Sequence, residues 1–357
     1  MINIPIENPL NKCKSAVEKE LTIFFNKKLA ESEKISPESK QIVELLKDYS
    51  LRGGKRIRAA LVYYGYKCFS NKNIKEIIKA SAAMELIQSY LLVHDDIIDR
   101  DDLRRNGPTI HKSYKDIFKK IYPSSDSVHL GNSMAILAGD LASSFANELI
   151  NDIDIKEKYK AKASKKMNKV VKTVIFGELL DIISALRPVT KIEIEKIHRF
   201  KTASYTIEGP LHIGALLAGA KNKDLKVLSG YAVPLGEAFQ LQDDILGLYG
   251  NEKQLGKPIG SDLREGKYTL LILKALEKAT KLQKEKIKKA LGSQKLTKKQ
   301  LDGIRKIVKQ TGSLKYSQYL VQKLVSQSKK SIKGSRFNKE AKQFLLELAD
   351  YMLKREY

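Results

Sequence analysis

Five aspartates fall within eight residues in the stretch LLVHDDIIDRDDLRRN (Leu91 to Asn106), directly after an apolar run and just ahead of two arginines. Asp95 and Asp99 are four residues apart, so a helix sets both carboxylates on one face, about 6 Å apart at Cβ, where unpaired like charges repel. A cation should therefore sit between them. Gln88, seven residues before Asp95, adds a polar neighbour on that face. A second cluster, FQLQDDILG, puts Gln240, Asp243 and Asp244 at i, i+3 and i+4 of an otherwise apolar helix. Carboxylates without imidazole or thiolate suit a hard cation, and Mg²⁺ takes one or two carboxylates, some waters and substrate phosphate oxygens. Each cluster alone fits solvated helix-end charge equally well.

The basic residues decide between these readings. GGKRIR (Gly53 to Arg58) joins a flexible backbone to three cations, and Arg104–Arg105 follow the first acidic cluster. Lys201–Thr202 interrupt an apolar helix, and GKPIGSDLREGK carries Lys257 and Lys267. Carboxylates for metal beside separate Lys and Arg groups for phosphate oxygens describe diphosphate binding. No Gly-rich triphosphate loop is present, which disfavours a nucleotide.

The elements that must position these groups read as helices almost throughout. Apolar residues recur at three- and four-residue spacing over Ile74 to Ile98, and similar patterns fill 155–186, 191–218, 223–248, 268–291 and 337–354. Pro37, Pro123, Pro188 and Pro258 mark helix boundaries, and the expected fold is all-α in one domain, residues 1–357. IYPSSDSVHLG (Ile121 to Gly131) reads as an exposed loop. The 357 residues are 42% hydrophobic with no membrane-length apolar run. Two cysteines and an N-terminus without an apolar signal core lead us to expect a soluble cytoplasmic protein. The formal charge of +25 is spread along polar helix faces, Lys156 to Lys172 and Lys274 to Lys309, not along one aromatic-studded stripe. That disfavours nucleic acid and leaves a solvated exterior, anionic substrates or weak contact with an anionic membrane surface.

GGKRIR, DDIID, RR, KT, FQLQDD and GK…GK, in this order over residues 50–270 of a helical chain, resemble the trans-isoprenyl diphosphate synthases, the family of farnesyl and geranylgeranyl diphosphate synthases. The resemblance implies an antiparallel helical bundle around a deep central cavity, in a homodimer, with the two aspartate motifs facing each other at its mouth. It implies Asp95, Asp99 and Asp243 as ligands of Mg²⁺, three ions per active site, with Asp96 and Asp244 supporting them. Arg104, Lys201, Thr202, Gln240, Lys257 and Lys267 match contacts to the allylic diphosphate (dimethylallyl, geranyl or farnesyl). Lys55, Arg58, Gln88 and Arg105 match the isopentenyl diphosphate site. The reaction implied ionises the allylic diphosphate and condenses it head-to-tail with isopentenyl diphosphate, with Asp95, Asp99, Lys201 and Asp243 in the catalytic set. His94, His111 and His198 read as hydrogen-bonded structural residues.

Chain length is implied by bulk before the first motif. Tyr90, five residues ahead of Asp95, resembles the aromatic floor of the archaeal-type geranylgeranyl synthases, and the resemblance implies a C20 product. Leu91 lies more directly below Asp95 on a helix, and a C15 or mixed C15/C20 product is the alternative. The chain departs from the family pattern at Gly247 (a third aspartate in many members), Ala59 (a proline) and Asn106 (a glycine), and by an insertion at about 115–130. A terpene cyclase lacks the second-substrate cations, and a non-catalytic partner subunit typically loses an aspartate motif. Both alternatives fit this sequence less well.

Overall fold

The computed structural model describes residues 6–72, 74–250 and 259–353. These fall into two compact units, residues 1–165 with 213–219, and residues 166–212 with 220–357. Helices account for almost all of both, as the periodicity requires, and among the described residues none is long and apolar enough to cross a membrane.

The first unit holds α1 (Glu7–Glu33), α2 (Pro37–Leu51), α3 (Ile57–Lys67), α4 (Ile74–Ile98), α5 (Ile110–Ile121) and α6 (Ser127–Asn151). Ser36 caps α2 by accepting from Ser39 N–H at 3.1 Å, with Pro37 in the first turn, where its missing N–H costs nothing. α4 packs on α3 and α6, and α5 on α6. Burying Leu86 and Ile87 of α4 completely contributes on the order of 1.5–3 kcal/mol each. Phe24, Phe25 and Phe145 meet edge-on at 5.5–6.5 Å. After α4 a two-stranded ladder, β1 (Leu103–Arg104) against β2 (Gly107–Pro108), turns through Arg105 and Asn106 at φ of +50° and +62°. The left-handed backbone explains why a glycine suits position 106 and why asparagine tolerates it.

The expected loop at 121–131 is helical except for residues 122–126: Asp126 caps α6 by accepting from His129 N–H at 3.0 Å. The serines and the aspartate that suggested a loop form a helix start instead. Residues 115–130 are accordingly the end of α5, this short turn and the first turn of α6.

The second unit begins within α7 (Glu157–Ser184) and continues through α8 (Lys191–Ile197). The pattern at 191–218, which reads as one helix, contains wide π-helical turns from His198 to Glu208 before α9 (Gly209–Leu217). Two close approaches flank these turns. A Cβ on Gly177 of α7 would lie 2.4 Å from Lys201 N, and one on Gly236 of α10 (Asn222–Tyr249) 2.4 Å from Ala203 Cα. Beyond α10 come α11 (Ser261–Arg264), α12 (Leu270–Lys278), α13 (Lys281–Ala290), α14 (Lys298–Gln310), α15 (Ser313–Lys333) and α16 (Lys339–Leu353). Buried Tyr231 of α10 ties this unit together, donating to Leu345 C=O while its own carbonyl accepts from Ser328 Oγ, both at 2.7 Å.

Candidate active site

In the first unit, Asp99 N–H donates to Asp95 C=O at 2.8 Å, so the last turn of α4 carries both carboxylates on one face. Arg100 at φ +58° then ends the helix. Arg104 bonds Asp96 Oδ1 through Nε and lies 3.4 Å from both Asp95 and Asp101. Asp96 is almost fully buried and also accepts from Tyr49 OH at 2.6 Å. Burial pushes its carboxyl up to about 6 against the opposing pull of Arg104. Asp96 therefore anchors the cluster from inside, and Asp95 and Asp99 are more open to solvent.

GGKRIR divides into different parts. Arg56 is internal, 4% exposed, with Nη1 3.1 Å from Glu85, Nε 3.1 Å from Glu18 and Nη2 donating to Ser50 C=O at 2.8 Å. Lys55 is exposed and Arg58 half-buried at the start of α3. Glu85 also accepts from Ala59 N–H at 3.3 Å, a bond that the family's usual proline could not donate. Arg105 lies against the glycine pair: a Cβ on Gly54 would be 3.3 Å from Arg105 Nη2, and Arg105 Nη1 donates to Arg52 C=O at 2.8 Å. Gln88 is buried on α4. Tyr90 is half-buried with its ring edge-on to His94 at 5.0 Å, and Leu91 is half-buried too. His94 Nε2 is 3.1 Å from Ile136 C=O, as a hydrogen-bonded structural histidine requires, whereas His111 lies 3.9 Å from Asp102, beyond hydrogen-bond distance, and its buried Nδ1 finds no hydrogen-bond partner among the described residues.

In the second unit Lys201 and Lys267 come together on one carboxylate. Lys201 Nζ is 2.7 Å from both Asp181 and Glu178, and Lys267 Nζ is 3.4 Å from Asp181 and 2.6 Å from Glu265. Burial would raise the Asp181 carboxyl, yet the two lysines hold it below the usual carboxylate range. Glu178 and Asp181 escape the sequence reading, although an acid pair at i, i+3 inside VIFGELLDII is a signal. Thr202 Oγ1 bonds Gln240 Oε1, and Gln240 Nε2 donates to Asp244 Oδ1 at 2.8 Å. Asp244 is 5% exposed; its Oδ2 lies 3.3 Å from His198 Nε2 and accepts no aligned hydrogen bond among the described residues. Asp243, one residue earlier, is half-buried. Lys257 lies outside the described residues.

These are two sets of hard oxygen donors with lysines and arginines close to each. The family model described as Polyprenyl synthetase matches residues 39–310. The chain is 34% identical over 306 residues to the short chain isoprenyl diphosphate synthase of Methanocaldococcus jannaschii, covering 85% of this chain and 86% of that one. It is 33% identical over 306 residues to the geranylgeranyl diphosphate synthase of Methanosarcina mazei, covering 85% and 87%. Among solved structures, the geranylgeranyl pyrophosphate synthase of Corynebacterium glutamicum complexed with isoprenyl diphosphate and magnesium superposes with a TM-score of 0.91 at 31% identity, over 97% of this chain and 99% of that one. With the model match spanning most of the chain and these relatives aligned over 85% of it, the chain belongs to the polyprenyl synthetase family.

Proposed function

We propose that the chain is a short-chain trans-prenyltransferase that condenses isopentenyl diphosphate with dimethylallyl, geranyl and farnesyl diphosphates to give geranylgeranyl diphosphate. The observation that carries this reading is the pair Lys201 and Lys267 held on the single carboxylate of Asp181, in the same unit as the Thr202–Gln240–Asp244 chain. Two ammonium groups fixed by a buried anion are preorganised for diphosphate oxygens.

Mg²⁺ fits the donors. The clusters offer carboxylate oxygens, and the buried Asp244 Oδ2 accepts no aligned hydrogen bond among the described residues. Asp95, Asp99 and Asp243 would hold the metal, three ions per active site, and bound Mg²⁺ would neutralise charge on the departing diphosphate. The protein's own groups do the rest. Lys201, Lys267, Lys257 and Arg104 bind allylic diphosphate oxygens, with Thr202 and Gln240 fixing their orientation. Lys55, Arg58, Arg105 and Gln88 position isopentenyl diphosphate for attack on the allylic cation, after which a proton is lost. No side chain serves as a nucleophile.

Tyr90, tied to His94, limits the product at C20; Leu91, one turn before Asp95, favours a second reading of C15 or mixed C15/C20 product. The proposal includes a homodimer working in the cytoplasm, with weak attraction to anionic membrane surfaces and no nucleic-acid partner. Incubation with labelled isopentenyl diphosphate and each allylic primer tests it. We expect label in an acid-labile lipid only when Mg²⁺ is supplied, and no incorporation with any primer would overturn it.

A further inference from the structure

Helices α15 and α16 leave a groove of about 460 Å³ between them, lined by none of the groups assigned to substrate or metal. Its two banks are held apart from beneath: Tyr231 of α10 donates to Leu345 C=O of α16, and its own carbonyl accepts from Ser328 Oγ of α15. Val325 lines the α15 bank, and Leu346 and Leu353 line the other, Leu353 being 36% exposed. Lys329 reaches across to Asp350, with Nζ 2.6 and 2.8 Å from its two oxygens. That bridge occupies the one carboxylate in the lining. Lys330 and Lys333 stand exposed on the same bank and form no ion pair among the described residues. Three lysines against one aspartate leave the rim with an excess of two positive charges. Tyr319, 63% exposed, lies fourteen residues before Lys333, four helical turns along the same stripe of α15.

Cations in the last turn of α15 suit the negative end of that helix, which accounts for a lysine there but not for the apolar lining beside it. An apolar channel with cations along one bank fits an anionic head carrying a hydrocarbon chain. The groove lies at the surface, and the Tyr319 ring, apolar with a polar tip, stands outside it on the same stripe, as at a bilayer interface. The net charge of +25 draws the whole molecule toward an anionic surface and selects among lipids by charge.

We propose that the α15–α16 groove is a membrane-docking site that takes one anionic phospholipid from a bilayer, its phosphate on Lys330 and Lys333 and part of its acyl chain against Val325, Leu346 and Leu353. This gives the membrane attraction expected from overall charge a definite place, and it rests on neither the metal assignment nor the prenyltransfer chemistry.

The test is co-sedimentation of the whole protein, without substrate, with phosphatidylglycerol or phosphatidylcholine vesicles at physiological salt. The wild type should bind the first and not the second. A lysine near an anionic bilayer contributes roughly fivefold to binding, so Lys330→Gln/Lys333→Gln should weaken it about 25-fold. The control Lys284→Gln/Lys288→Gln, with the same charge change on exposed positions of α13, should bind as the wild type does. Leu346→Gln keeps every charge and should cost roughly fivefold by making the lining polar. Circular dichroism checks each protein, and Leu353→Gln replaces Leu346→Gln if that one does not fold. Equal losses in the two lysine pairs would show attraction by net charge alone and overturn the proposal. So would unchanged binding in a folded leucine variant, absence of binding by the wild type, or its displacement from vesicles by inorganic phosphate or geranyl diphosphate at constant ionic strength. A wild type that binds vesicles as expected but condenses no isopentenyl diphosphate would overturn the prenyltransferase reading and leave the docking site standing.

Discussion

Replacing Glu85 by alanine separates the structural cation of GGKRIR from the two assigned to substrate. The side chains of Arg56 and Glu85 are 2% and 5% exposed, so the substitution strands a guanidinium where water cannot reach it. Breaking such a pair costs about 3–5 kcal/mol. Glu18 at 3.1 Å and Ser50 C=O at 2.8 Å remain as partners, which puts the expected loss at the lower end, ~3 kcal/mol. With an unfolding entropy of roughly 2 cal/mol/K per residue, that is a Tm drop of ~4 °C if the whole chain melts together, and about twice that if the first unit melts alone. Differential scanning calorimetry reads this directly. The variant should also raise KM for isopentenyl diphosphate, because Glu85 holds the Ala59 N–H and with it the first turn of α3 that bears Arg58. Exposed Lys55 gives the control: Lys55→Ala should leave Tm unchanged. A Glu85→Ala protein that melts with the wild type would refute the assignment of Arg56 as a buried structural charge.

Other consequences can be measured separately. Asp95→Ala and Asp243→Ala should each abolish turnover with the helical circular dichroism intact; comparable turnover at saturating Mg²⁺ would rule out the metal role. Lys55→Ala should raise KM for isopentenyl diphosphate far more than for the allylic primer, and equal effects would undo the division of sites. Tyr90→Ala should lengthen products toward C25, provided the vacated space stays open, and an unchanged length with activity retained would move the floor to Leu91 or Met84. Burial, then Lys166, holds His212 down at about 4, whereas the unfolded chain takes up the proton near 6.5. Stability should therefore be full above pH 6.5 and fall as pH drops toward 4, by up to roughly 3 kcal/mol from this group, and urea titrations of His212→Gln should lack that component.

Helix existence was legible wherever the apolar spacing was regular, and α4 runs from Ile74 to Ile98 as its pattern indicates. The π turns at 198–208 were not, since they are set beside Gly177 and Gly236, glycines distant in sequence, and local periodicity carries no trace of those approaches. Ser125, Asp126 and Ser127 serve a helix cap as readily as a loop, which is why the break before α6 is shorter than composition suggests. At the candidate site, charge type and spacing singled out the aspartates and most of the cations that the proposed function uses. Which cation faces inward could not be read: Arg56 sits between Lys55 and Arg58 in sequence, and only the position of Glu85 buries it. Glu178 and Asp181 were hidden by their apolar neighbours.

The central claim is that the aspartate clusters and the lysine pair act on allylic and isopentenyl diphosphates. Mass spectrometry of the product formed from farnesyl diphosphate, isopentenyl diphosphate and Mg²⁺ tests it most directly. The account requires a diphosphate one isoprene unit longer than the primer, formed by the wild type and lost in Asp243→Ala. Farnesyl diphosphate recovered unchanged, or converted to a hydrocarbon or alcohol without uptake of isopentenyl diphosphate, would contradict it.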